Sequence, residues 1–254
     1  MKGEHMAEQD QIGAIRISKY FTDCGILSRR AAEEEIRQGH IRVNGIPAEL
    51  GQKVFPETDE ITWNGKTIER KAVSDHVCLM LYKPRGYVTT VSDEKGRPTV
   101  MSLVENVGTR VYPVGRLDMD SEGLLLLTDD GELTNILTHP SHQIPKIYRI
   151  TVKGPMTEQA CRQLGQPIVI DGRRTLPVRV RFLSFDGVHS ELELTLTEGR
   201  NRQIRRMCED KGISLTRLKR VAYGKLSLGH LAPGKWRLLN KAEIAYLKGN
   251  APKA

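Results

Sequence analysis

Apolar positions change period several times along this chain, and each change marks an element. Ile17, Tyr20, Phe21 and Cys24 fall at i, i+3, i+4 and i+7, one face of a short helix that Gly25 can close. Ser28 is placed to cap a second helix running to about Gln38, with Gly39 as its stop. Ile41-Arg42-Val43 then meets Asn44-Gly45, a two-residue hairpin signal, and Val54 to Ile68 reads as short strands with a second such pair at Asn64-Gly65. The pattern predicts a helix–helix–hairpin module over residues 15–68. A loose polar lead (1–14) precedes it, and an aperiodic polar linker (69–76) follows.

A second domain is expected over 77–249, with 250–254 as a tail. Val77 to Tyr82 is continuously apolar, as in a strand buried on both faces, and Lys83-Pro84-Arg85-Gly86 turns out of it. Residues 89–110 are loop-rich. Leu124 to Thr128 predicts another buried strand, Asp130-Gly131 a turn, and a short helix continues to about Leu137. Ile147–Lys153 alternates as a strand, and a helix is expected near Thr157–Leu164. Asp171-Gly172 marks a hairpin, and Leu192, Leu194 and Leu196 alternate with polar residues. Ile204, Met207 and Cys208 give a helix one apolar face, ended by Gly212, and Asn240 to Glu243 fits a capping box. Strands interspersed with helices, without a regular βαβ beat, predict an α+β fold with a mainly antiparallel or mixed sheet.

Composition narrows the function. The 254 residues carry a net charge of +8, which favours a polyanionic partner, most often nucleic acid. The cysteines, Cys24, Cys78, Cys161 and Cys208, form no C-x-x-C pair, so neither a zinc ribbon nor a disulfide framework is expected. The lead has no apolar core of a secretory signal, and no apolar run approaches the ~20 residues of a membrane span. A cytoplasmic protein is the expectation.

Two stretches concentrate chemistry. Gly115-Arg116-Leu117-Asp118-Met119-Asp120-Ser121-Glu122-Gly123 packs one arginine and three acids into a short loop that leads into the Leu124 strand. From Arg200 to Arg237 eleven Lys and Arg face only Glu209 and Asp210, a local +9. On a helix Arg202 would share a face with Arg205 and Arg206, so an anion, either a phosphate or a carboxylate, is expected between them. Asp120 and Glu122 read as loop-stabilising or solvated acids. His139 and His142 have no third ligand at useful spacing, so no metal site is expected. Neither a phosphate-binding P-loop nor a G-x-G-x-x-G motif is present, and no cofactor is expected.

These motifs carry two resemblances. Arg16-Ile17-Ser18-Lys19-Tyr20, Gly25 to Ala32 and Gly39 to Gly45 resemble the small RNA-binding domain named after ribosomal protein S-four. That resemblance implies phosphate contacts from Arg16, Lys19, Arg29, Arg30, Arg37 and Arg42. Gly115-Arg116-Leu117-Asp118 before an apolar strand, with Gly199-Arg200-Asn201-Arg202-Gln203-Ile204-Arg205-Arg206-Met207 downstream, resembles the pseudouridine synthases. The N-terminal module and the Arg-Arg-Met ending resemble the RsuA-like branch, which acts on ribosomal RNA.

The second resemblance implies Asp118 as the catalytic aspartate and Arg205 as its counter-charge. It also implies Tyr148 stacking on the target base and Arg116 holding that base out of its helix; Arg202 and Arg206, in the basic stretch, are expected on the substrate as part of an RNA-facing wall. Asn201-Arg202-Gln203-Ile204-Arg205-Arg206 looks more like the RluB- and RluF-like members acting on 23S rRNA. The small-subunit (16S) members more often carry an aromatic residue and a histidine where Asn201 and Arg202 stand. The expected partner is rRNA or a pre-ribosomal particle, met by a monomer. The rival class is a non-catalytic RNA-binding assembly factor. A methyltransferase would need a Gly-rich cofactor loop that is not seen.

Overall fold

The computed structural model describes residues 13–69 and 76–249. The lead expected over 1–14 therefore lies outside the described residues up to position 12. The tail and all but the ends of the expected linker lie outside them too. Contacts divide the chain into two compact units. One runs to Val77 and includes Gly108–Val111 and Asp129–Gly131; the other comprises Cys78–Val107, Tyr112–Thr128 and the chain from Glu132 on.

In the first unit, β1 (Ile15–Arg16) leads into α1 (Ile17–Asp23), and α2 (Arg29–Arg37) follows. Ser28 Oγ accepts from Ala31 N at 3.1 Å, so the predicted cap is made. Strands β2 (Ile41–Val43), β3 (Ile46–Pro47), β4 (Lys53–Val54), β5 (Ile61–Trp63) and β6 (Lys66–Thr67) complete the unit. Asn44 and Gly45 turn with φ of 52° and 80°, as do Asn64 and Gly65 with 51° and 75°. Paired positive φ values belong to the hairpin turn that Asn-Gly favours. Ile17, Phe21, Ala32, Ile36, Ile41, Val54 and Ile61 form one buried cluster.

The second unit is built on a mixed sheet. Its strands are β7 (Cys78–Lys83), β8 (Tyr112–Val114), β9 (Glu122–Thr128), β10 (Lys146–Lys153), β13 (Arg179–Phe185), β14 (His189–Leu196), β15 (Leu215–Tyr223), β16 (Leu226–Ser227) and β17 (Trp236–Leu238). Between β10 and β13 the short hairpin of β11 (Val169–Ile170) and β12 (Arg173–Arg174) pairs only with itself. The strand order is β13-β14-β10-β15-β9-β7-β17, with β16 on β15 and β8 on β9. The helices are α3 (Gly131–Thr138), α4 (Glu158–Leu164), α5 (Gln203–Asp210) and α6 (Lys241–Gly249). Asn240 and Glu243 exchange the reciprocal bonds of a capping box, both at 2.9 Å. The α+β class with a mixed sheet is what the pattern predicted.

Two features depart from the prediction. Strand β9 begins at Glu122, not Leu124, so Glu122 and Gly123 belong to the sheet. And β15, which occupies the centre of the sheet, lies in the Arg200 to Arg237 stretch that sequence reads as a basic excess, a wall of positive charge. It joins β9 by the sheet's one parallel pairing among the described strands, Lys219 opposite Glu122 and Arg220 opposite Gly123. That short seam brings together a core under β7 and β9 and a second core under β10, β14 and α5. Among the described residues no helix is long and apolar enough to cross a membrane.

Candidate active site

The loop from Gly115 to Ser121 joins β8 to β9 and is clamped through its backbone. Thr89, itself buried, donates from Oγ1 to Leu117 O at 2.7 Å and accepts from Leu117 N at 3.3 Å. Gly86 N donates to Met119 O at 2.8 Å, and Ser121 N turns back to Asp118 O at 3.1 Å. Lys83, fully buried at the end of β7, gives Nζ to Pro84 O at 3.1 Å, Asp118 O at 2.9 Å and Ser121 O at 2.7 Å. All three ammonium donors are thus matched by carbonyls. Burial pulls the Lys83 ammonium down to about 8, against the charges of Asp118, Asp120 and Glu122, which favour it. Sequence placed Lys83 at the start of a turn. Its burial becomes visible only when the distant loop supplies its acceptors.

Replacing Lys83 by Met keeps the apolar stem and strands three loop carbonyls. Stability is expected to fall by about 2–3 kcal/mol in urea unfolding. Turnover by the folded remainder is expected to fall by about 100-fold, because the loop that carries Asp118 loses its position.

The site's cavity has a volume of about 360 Å³ and lies entirely within the second unit. Arg116, Asp118, Tyr148, Arg202, Lys146 and Arg220 are among its lining residues. Asp118 stands half-buried, its side chain 28% exposed, with Arg202 Nη1 at 3.7 Å. Tyr148 comes from β10, opposite Arg220 of β15, at a bulge between Ile147 and Tyr148. Arg116 is exposed at the cavity's rim.

Arg205 and Arg206 do not line the cavity. Arg205 was expected to face Asp118. The structure instead pairs its Nη2 with Asp120 Oδ1 at 3.1 Å, and the same nitrogen donates to Asp120 O at 3.1 Å. Among the described residues the guanidinium beside Asp118 is that of Arg202. The reason is local. Arg202 precedes α5 in the left-handed conformation (φ 50°), so it leaves the helical face it was assumed to share with Arg205 and Arg206. Asp120 also accepts Arg202 Nη1 at 3.5 Å, and so supplies the anion expected between Arg202 and Arg205. Arg206 turns to Asp171 at 2.8 Å.

Glu122 is buried, not solvated. Arg217 Nε donates to it at 2.6 Å and Tyr82 Oη at 2.9 Å. Burial works against its ionisation, but the hydrogen bonds from Arg217 and Tyr82 outweigh that and hold its carboxyl below the usual range. The basic wall is correspondingly less free than its charge suggests. Arg200 donates to Arg173 O and Arg174 O, Arg237 pairs with Glu243, and Arg220 is buried. In the first unit Arg16, Arg29 and Arg30 are exposed, whereas Lys19 is paired with Asp23.

Residues 76–210 match the RNA pseudouridylate synthase family and residues 25–61 the S4 domain. The chain is 42% identical over 239 residues to a Bacillus subtilis protein named ribosomal large subunit pseudouridine synthase B, covering 93% of this chain and 96% of that one. It is 37% identical over 231 residues to the Escherichia coli dual-specificity RNA pseudouridine synthase RluF, covering 91% and 77% respectively. A solved pseudouridylate synthase superposes with a TM-score of 0.65 at 29% identity, over 92% of this chain and 99% of that one.

Proposed function

This chain belongs to the RNA pseudouridylate synthase family, whose members isomerise uridine in RNA; on that premise we propose that it modifies a uridine of 23S ribosomal RNA through Asp118. One observation carries the reading. The half-buried carboxylate of Asp118 faces the same cavity as the Tyr148 side chain, with a guanidinium 3.7 Å away.

The target base leaves its stack to reach that cavity, a step costing a few kcal/mol of which stacking on an aromatic face returns about 1–3. Tyr148 provides the face and Arg116, at the rim, holds the base out. Asp118 then attacks the sugar or base, or takes a proton from the ribose, as the bond from C1′ to ring nitrogen breaks. The sugar rejoins at C5, the C5 hydrogen leaves as a proton and the nitrogen gains one. Nothing is oxidised, so the reaction calls for no redox cofactor. Arg202 sets a positive charge 3.7 Å from the carboxylate, and Arg205 acts one step removed by pairing with Asp120.

Residues 15–68 serve as the RNA-binding domain, with phosphate contacts from Arg16, Lys19, Arg29 and Arg30, and residues 77–249 as the catalytic domain, in a cytoplasmic monomer. The relatives named for the large subunit support 23S over 16S. The rival reading, a binding factor without catalysis, gives no reason for an acid among arginines on an RNA-facing wall.

Purified chain incubated with 23S and 16S transcripts, and with the assembling subunits, tests this directly. Pseudouridine mapping is expected to show one new site in 23S rRNA. A site in 16S rRNA alone would move the substrate to the small subunit. RNA binding without any product on any of these substrates would favour the assembly factor.

A further inference from the structure

Among the described residues, Arg220 is a buried cation that forms no ion pair with a carboxylate. It is 3% exposed and lies in the cavity wall. Its single hydrogen bond among the described residues runs from Nε to Leu124 O at 2.7 Å, and Nη2 is buried with no acceptor. The guanidinium carbon stands 5.8 Å from the centre of the Tyr223 ring, and Tyr223 is itself fixed by its hydroxyl on Leu137 O. The group is therefore rigid and permanently charged. A second cation of the wall, Lys146, donates among the described residues to Ile144 O. Burial, reinforced by the charge of Arg220, brings its ammonium down to about 8. Burying an unpaired charge is costly unless a ligand supplies the partner.

The reaction creates such a partner inside this cavity. When the C1′–N1 bond breaks, both electrons stay with uracil, and the negative charge spreads over its O2 and O4. We propose that Arg220 holds a uracil carbonyl through its Nη groups and stabilises the uracil anion formed on bond cleavage. The anion's pair then forms the C1′–C5 bond, the C5 proton leaves, and N1 takes up a proton, so the charge on Arg220's partner appears and vanishes within one turnover. A fixed donor aimed where charge develops acts on the transition state more than on the bound substrate. Arg116 is too exposed for this role, and Lys146 already gives its ammonium to Ile144 O. The inference rests on the chain being a uridine isomerase that works through Asp118.

Single-turnover cleavage by Arg220→Gln and Arg220→Lys, on RNA carrying uridine or 5-fluorouridine at the target, tests it. Fluorine at C5 stabilises the same anion and should stand in for part of the lost cation. The Gln variant is expected to lose about 10²–10³-fold on uridine and clearly less on 5-fluorouridine, with RNA affinity unchanged and Lys intermediate. An equal deficit on both substrates would assign Arg220 a purely structural role through Leu124 O and overturn the inference. Wild-type chain that makes no pseudouridine would overturn the parent reading instead. If the variants do not fold, a structure of the wild-type chain with 5-fluorouridine RNA decides. An Nη group within about 3.2 Å of O2 or O4 supports the role, and carbonyls turned away beyond about 4 Å remove it.

Discussion

Asp118→Asn is expected to abolish pseudouridine formation and leave RNA affinity and stability unchanged. The substitution keeps shape and removes only charge and nucleophilicity. Among the described residues the carboxylate makes no hydrogen bond that holds the loop, and the Lys83 ammonium it favours is also favoured by Asp120 and Glu122. The loop is held through the Asp118 carbonyl, by Lys83 Nζ at 2.9 Å, and the side chain's one ion pair among the described residues is a long one of 3.7 Å to Arg202. A partly exposed pair at such a distance contributes ~1 kcal/mol at most. An amide, by contrast, neither attacks the sugar nor takes its proton, and loss of a central catalytic group costs on the order of 10⁴- to 10⁶-fold. Release of tritium from RNA labelled at C5 of uridine measures turnover, and filter binding measures affinity. Product within tenfold of the wild-type rate (roughly the resolution of such a comparison) would remove Asp118 from the chemistry.

Much of this architecture is legible in the sequence because local physics decides it. Continuous apolar runs made β7 and β9 visible, and positive-φ turn residues placed the hairpins at Asn44-Gly45, Asn64-Gly65 and Asp171-Gly172. The loop around Asp118 stood out by charge alone. What stayed hidden depends on partners far away in the chain. Strand β15 reads as a basic surface because Arg217, Lys219 and Arg220 interrupt its apolar positions. Yet Glu122 neutralises Arg217, and Lys219 lies over the Tyr82 ring at 4.7 Å. Helical spacing grouped Arg202 with Arg205, and a left-handed residue at the helix start broke that group. Counting charge along a chain thus overstates the free basic surface wherever the counter-charges come from other strands.

Gly123→Ala is expected to be the most damaging single substitution outside the catalytic group, and it acts through the fold. Gly123 has φ +112°, and a Cβ there would meet Arg220 O at 2.1 Å and Arg220 N at 2.7 Å. Both are backbone atoms of a central strand, so no side-chain rotation relieves the clash. The pairing of Gly123 with Arg220 is half of the β9–β15 seam, which sets the Asp118 loop against the strands bearing Tyr148 and Arg220. Backbone strain and overpacking together should cost on the order of 3–5 kcal/mol. Gly115→Ala, eight residues earlier in the same motif, is the control. Its φ is +71°, but its Cβ would meet nothing within 4 Å, so only the conformational penalty of about 1 kcal/mol applies. Urea unfolding with turnover per folded molecule should separate them. The Gly115 variant should stay folded, whereas the Gly123 variant should lose stability and, in its folded fraction, turnover. Equal losses of stability would mean that the seam tolerates a methyl group and that close approach of β9 to β15 is not what positions the site.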